Sequence, residues 1–172
     1  MTRSKTAVLA LVALLCVVSL TLADTKAATN KPNFGFERMK GLVGAWQGTS
    51  KDGKTVTATY VLVADGSAVM ETLETGEGSP MVTVFHPDGS RVMMTHYCSA
   101  HKQPRMRADA AAAEPKALTF NFVDATNLSS PADGHMEKLV VSFVDADHFT
   151  EEWTFKAKDQ KQVDLFNFQR KS

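Results

Sequence analysis

The chain has 172 residues and carries 19 Lys and Arg against 19 Asp and Glu, a formal net charge of zero. That balance argues against a nucleic-acid partner and against attachment to membranes through a basic surface. The length points to one domain, since about 150 residues bury roughly 70% of the unfolded chain's surface and sustain a single core.

Residues Met1 to Ala23 read as a secretory signal, with Arg3 and Lys5 at a positive start, an apolar stretch from Ala7 to Leu22, and small residues around Thr21-Leu22-Ala23 for cleavage. The apolar run of about sixteen residues falls short of the roughly 20 that a spanning helix needs, so no membrane span is expected after removal. Cys16 follows Leu15, too bulky for lipid processing, inside an apolar run that continues past it. Export from a bacterial cell, to the periplasm or beyond, is the expected destination. Cleavage removes Arg3 and Lys5, leaving 17 basic against 19 acidic side chains and a net charge of −2. It also leaves Cys98 as the single cysteine, so no intramolecular disulfide is possible in an oxidising compartment. Cys98 is either a buried inert thiol or one that reacts or pairs between molecules.

Residues 24–33 form a polar leader without apolar periodicity, expected to be poorly ordered. A single domain over 34–172 follows. Phe36, Met39, Leu42 and Val43 have helical spacing and end at Gly44, which predicts a short helix able to plug one end of a barrel. Beyond Trp46 the pattern changes to short segments rich in β-branched and aromatic residues. They are punctuated by turns such as Asp52-Gly53, Asp65-Gly66 and Asp88-Gly89, whose Asp-Gly pairs favour tight hairpins. About ten strands are predicted, near 46–50, 55–63, 68–74, 80–86, 91–98, 103–109, 117–123, 136–144, 148–156 and 162–170. The alanine-rich run from Asp109 to Pro115 is too short to stand as a helix, and the segment Asp124 to Gly134 reads as the longest loop. Consecutive hairpins without crossover helices predict an all-β, up-and-down antiparallel barrel, which removes exposed edges by closing on itself; a two-sheet sandwich is the alternative.

Gly44-Ala45-Trp46 at the head of the first strand, with Arg170 at the end of the last, resembles the signature of the calycin group, the lipocalins and fatty-acid-binding proteins. The resemblance implies that Trp46 packs across the barrel floor with Arg170 over its ring. Such a cation–π contact contributes about 0.5–2 kcal/mol. Further lipocalin motifs and disulfides are not evident, and the Arg-x-Tyr of the last strand in fatty-acid-binding proteins is missing. The stretches Thr95-His96-Tyr97-Cys98 and Gln103-Pro104-Arg105-Met106 also resemble a family of uncharacterised exported bacterial proteins, a likeness that implies no activity.

Alternation assigns strand faces and exposes the candidates for chemistry. Phe149, Glu151, Trp153 and Phe155 share one face, on which Glu151 is the misfit. Facing an apolar interior, its carboxyl would pair, meet water or take up a proton, and would serve as a polar anchor or general base. Alternatively, strand twist or a bulge carries it to solvent, or it pairs with a nearby Arg. In the fifth strand His96 and Cys98 fall on the face of Val92 and Met94, opposite Tyr97, and with His101 they form a sparse metal-like set lacking the ligands for four-coordination. A hydrogen-bonded core His96 is the simpler reading, and a Cys98–His96 nucleophile pair needs a reach that two positions on one strand do not guarantee. Arg105 and Arg107 share a side of the sixth strand. Facing inward they would receive a carboxylate or phosphate, as fatty-acid-binding proteins do with internal Arg; otherwise Met106 and Ala108 face inward and both Arg are solvated. Six methionines from Met70 to Met136 fill either a pocket wall or an ordinary core.

The candidate ligand-binding set is therefore Glu151, Trp153, His96, Tyr97, Cys98, Arg105 and Arg107, with Gly44, Trp46 and Arg170 as structure. The leading expectation is an exported, non-enzymatic barrel holding a small, mainly apolar molecule, with no required cofactor. The architecture also resembles nitrobindin-like haem barrels; His86, His96, His101, His135 and His148 would then be axial candidates, though none matches that family's pattern. Two further classes compete: a small-molecule enzyme using Glu151 with Arg105, or His96 with Cys98, and an interaction protein whose barrel is filled by its own side chains.

Overall fold

The computed structural model describes residues 32–172. The signal read over 1–23 and leader residues 24–31 lie outside the described residues. At the end of the leader, Asn33 caps the helix α1 (Phe34–Lys40), its side chain accepting from the Phe36 N–H at 2.9 Å. Its Nδ2 donates to the carbonyls of Gly89 and Arg91, at 3.0 and 2.7 Å. Seven residues make too short a helix to persist alone, so α1 depends on these ties and on burying Phe36 and Met39 in the core. It begins two residues before the predicted start and stops at Lys40 rather than Val43, with Leu42 buried in the turn that follows.

Ten strands follow: β1 (Gly44–Ser50), β2 (Thr55–Val63), β3 (Ala68–Glu74), β4 (Met81–Asp88), β5 (Arg91–Tyr97), β6 (Gln103–Ala108), β7 (Ala117–Thr126), β8 (His135–Phe143), β9 (His148–Ala157) and β10 (Gln160–Arg170). Each pairs antiparallel with its sequence neighbours, and β10 pairs with β1, from Trp46 opposite Arg170 to Ser50 opposite Phe166. The sheet is thus a closed barrel and the sandwich alternative falls, because the first and last strands satisfy each other's backbone groups. Because β7 runs on to Thr126, the loop predicted as longest contracts to 127–134, matched in length by 109–116. Among the described residues no helix is long and apolar enough to cross a membrane.

The seam is tightly fitted. The Arg170 guanidinium lies 4.1 Å from the centroid of the Trp46 ring, and its Nη1 and Nη2 donate to the carbonyls of Val43 and Gly41, both at 3.0 Å. Trp46 Nε1 donates to the Leu42 carbonyl at 2.7 Å, tying the indole to the turn after α1. Gly44 has φ +134°, and a Cβ there would stand 2.8 Å from Arg170 Nη1. The positive φ and the closeness of Arg170 together favour glycine at this position. Beneath this closure Trp46 meets Phe149 edge-on at 4.7 Å, and Phe149 stacks on Phe168 at 4.8 Å. This end, covered by α1, is the floor; the turns after β1, β3, β5, β7 and β9 ring the mouth.

Substitutions at two glycines test this fit experimentally. Gly53 also has positive φ, +76°, but nothing stands within 4 Å of its would-be Cβ. Gly53→Ala should destabilise by about 1 kcal/mol through backbone strain alone, and Gly44→Ala by about 2 kcal/mol or more, because φ +134° strains a residue with a Cβ further and the arginine must also move. Urea unfolding midpoints measure both losses, and a Gly44→Ala loss that is unchanged in an Arg170→Ala background would remove Arg170 from the explanation.

Candidate functional site

Inside the barrel a row of polar side chains runs directly across four strands. Tyr60 stands opposite Glu71, Glu71 opposite Thr83, and Thr83 opposite His96, each the cross-strand partner of the next from β2 to β5. All four are buried. Glu151 approaches from β9: its Oε1 contacts the Tyr60 hydroxyl, and its Oε2 accepts from Trp153 Nε1 at 2.9 Å. The Tyr60 hydroxyl also lies 3.0 Å from Glu71 Oε1. Thr83 Oγ1 and His96 Nδ1 share a hydrogen bond of 2.9 Å.

One hydroxyl between two carboxyls fixes the proton inventory. Tyr60 has a single proton to give, so with both glutamates ionised one of its contacts would set bare oxygen against bare oxygen. One carboxyl must itself be an acid. Burial, then the Glu151 charge, holds Glu71 well above the usual carboxyl value of 4.5, and its Oε2 has no partner. Burial also raises Glu151, but donors from Tyr60 and Trp153 favour its ionised form. The arrangement that satisfies most groups has Glu71 protonated and donating to Tyr60, Tyr60 donating to Glu151, and Glu151 carrying the charge. Burial pushes His96 down to about 4, so its ring is neutral at neutral pH.

The mouth holds a cavity of about 280 Å3. Its lower wall is apolar, formed by Val56, Leu73, Met81, Met136 and Phe166, with His96 and Trp153 set among them. Their rings are 4.5 Å apart. His96 is 1% exposed and its Nε2 has no hydrogen-bond partner, whereas Nδ1 is held by Thr83. The upper wall carries Asp52, Lys54, Glu77, Gln162 and Asp164. Lys54 is paired with Glu77. Towards the floor the interior is filled by the aromatic cluster around Phe149, so the open space is shallow rather than a deep cup.

The structure sorts the sequence candidates. It brings His96, Trp153 and Glu151 together, with Glu151 reaching the cavity only through the Trp153 indole. Glu151 neither turns to solvent nor pairs with an arginine. Arg105 and Arg107 point outward: Arg105 is bound to Asp124, and Arg107 lies 3.9 Å from Asp88. Met106 and Ala108 take the interior instead, since burying two guanidinium groups without counter-ions is unfavourable. Tyr97 is 51% exposed on the outer face. Cys98 lies past the end of β5, half-buried rather than inward, its Sγ accepting from the Ala100 N–H at 3.5 Å. His101, in the same turn, is exposed, so His96, Cys98 and His101 do not converge. No group of three or more His, Cys, Asp or Glu among the described residues is placed to hold a metal ion. Glu71 and Tyr60 do not stand out among the sequence candidates. A signal for Glu71 is nonetheless present, a carboxyl between Val69 and Leu73 on a buried face, the same misfit that marks Glu151.

No family model and no curated protein matches the chain. Among solved structures, the chain is similar to the crystal structure of a DUF3598-family protein of unknown function from Nostoc punctiforme, with 13% identity and a TM-score of 0.54 over 77% of this chain. The match spans 49% of that protein, about half its length. This likeness concerns the fold alone. The chain is thus a closed ten-stranded antiparallel barrel with a small cavity at its mouth.

The buried titrations have opposite signs. The glutamates bind protons more tightly folded than unfolded, so their contribution is whole below about pH 4.5 and is lost as pH rises through their elevated folded values. His96 does the reverse: its contribution is whole above pH 6.5 and is lost as pH falls towards 4. Glu71→Gln removes one of the paired acids while keeping its shape. From pH 4.5 upward its stability should gain on wild type by up to about 1.4 kcal/mol per pH unit, read from urea unfolding between pH 4 and 9. Parallel profiles would show that Glu71 does not carry the proton.

Proposed function

We propose that this chain is a binding protein of the calycin-like type, exported from a bacterial cell, that holds a small and mainly apolar molecule in the cavity at the barrel mouth. The observation that carries the reading is His96. A buried ring nitrogen without a partner is unusual in a folded protein, and this one belongs to a side chain lining a cavity whose other lower walls are apolar. A ligand group that hydrogen-bonds to Nε2 would satisfy it while the apolar wall and the Trp153 ring cover the ligand's body. The cavity of about 280 Å3 sits near the lower end of the roughly 300–1,000 Å3 usual for small-molecule sites, so the molecule is compact. Glu151, sealed behind Trp153, supports binding over turnover, because no reacting group could reach its carboxyl without displacing the indole.

Haem is the second reading, and His96 again favours it, since a neutral imidazole with a free Nε2 is an axial donor. The volume stands against it. A porphyrin is broader than a cavity of about 280 Å3 bounded by Leu73, Met136 and Trp153, and the residues as placed do not fit the macrocycle.

Native mass spectrometry of protein purified from its own host should reveal a bound small molecule, released on denaturation. Met136→Trp, which fills the mouth from a partly buried position, should abolish that mass while leaving the far-ultraviolet spectrum unchanged. A bare chain in both preparations would favour the rival barrel that serves only as a scaffold. With added haemin no new Soret band is expected; a band lost on His96→Ala would instead support axial ligation.

A further inference from the structure

The charges around the mouth narrow the kind of molecule the cavity takes. Of the ionisable residues in its upper wall, three are acidic, Asp52, Glu77 and Asp164, and one is basic, Lys54. Lys54 is engaged by Glu77. Lys51, outside the wall, reaches Asp164 at 3.4 Å while its ammonium donates to the Val163 carbonyl at 3.0 Å. Asp52 has no ion-pair partner among the described residues. Among the residues that line the cavity an incoming carboxylate therefore meets no free cation, and Arg105 and Arg107 face outward. His96 lines the same cavity, its partnerless Nε2 buried, its Nδ1 held from behind by Thr83 and its ring flanked by the Trp153 indole.

We infer that the cavity is a site for small aromatic amines. The ring lies beside Trp153, a hydroxyl or similar neutral group at the buried end bonds to His96 Nε2, and the ammonium sits at the mouth between Asp52 and Asp164. This deepens the binding proposal and rests on it. Complementary charge at a rim selects among ligands of one shape, and the selection weakens with salt because the rim is wet. A hydrogen bond to a desolvated nitrogen selects more steeply, since a ligand lacking the group leaves that nitrogen unpaired.

Four matched probes separate the two ends of the site: tyramine, phenethylamine, 4-ethylphenol and 3-(4-hydroxyphenyl)propionate. Binding is read by isothermal calorimetry at low salt, with the quenching of tryptophan emission as a second signal. Tyramine should bind about tenfold or more tightly than the propionate, a gap that narrows at high salt, and about tenfold more tightly than phenethylamine. Asp52→Asn combined with Asp164→Asn should erase the first preference and leave the second. His96→Phe should erase the second and leave the first. Equal or tighter binding of the propionate overturns the amine assignment while leaving a ligand cavity in place. Failure of all four probes overturns the amine assignment, and together with a bare chain from the native host it overturns the cavity reading as well.

Discussion

The contact between Arg170 and Trp46 is the point on which the rest of the barrel turns. A ten-stranded meander has two edges, and an unpaired edge is both unstable and prone to recruit other chains. The guanidinium stacks on the indole from the first strand and donates to two carbonyls in the turn after the helix, so the last strand is bound to the first and to the floor at once. Gly44 yields the space this takes, and the indole reaches back to Leu42. Residues 44 and 170, remote in sequence, thereby act as one joint. The capping ties of Asn33 to the hairpin between β4 and β5 close the opposite side of the same floor.

Closure at one end determines what is possible at the other. Rings of Phe149, Phe168 and Tyr60 fill the space above the floor, and the level above them is polar. Two carboxyls, one phenol and one indole satisfy each other only if a proton remains among them, so burial converts an acid pair into a hydrogen-bonded chain. Such a chain fixes the rotamers of Tyr60 and Trp153. Trp153 is at once the cap of this network and a wall of the mouth cavity, which links the protonation of the interior to the shape of the site. His96 occupies the corresponding place on the other wall, positioned through Thr83.

The mouth differs from what a fatty-acid carrier would need. An internal arginine pair would have received an anionic head group, but both arginines neutralise carboxylates on the outside of the barrel. The polarity left inside is that of hydrogen-bonding groups and of two buried carboxyls that share a proton with Tyr60 between them. Charge at the rim and chemistry at the bottom then act on different parts of the same small molecule.

The ten strands and the meander were legible in the residues alone, because these rest on local alternation and Asp-Gly turns, whereas the closing pair of Trp46 and Arg170 was implied by the resemblance to the calycin signature. Glu151 was legible too, since a carboxyl breaking an apolar face is visible in one strand; Glu71 carried the same mark between Val69 and Leu73. Which partners these groups meet was settled only by the folded barrel. Glu151 and Tyr60 are 91 positions apart and share a hydrogen bond only because the curvature of the closed sheet brings β9 across to β2. Likewise the facing of Arg105 was undecidable from alternation, as Arg and Met alternate evenly there; the core rejected the charges and kept Met106. Side-chain period follows from the chain's own geometry, but the depth of a cavity and the company of a buried charge depend on how separate strands are curled together.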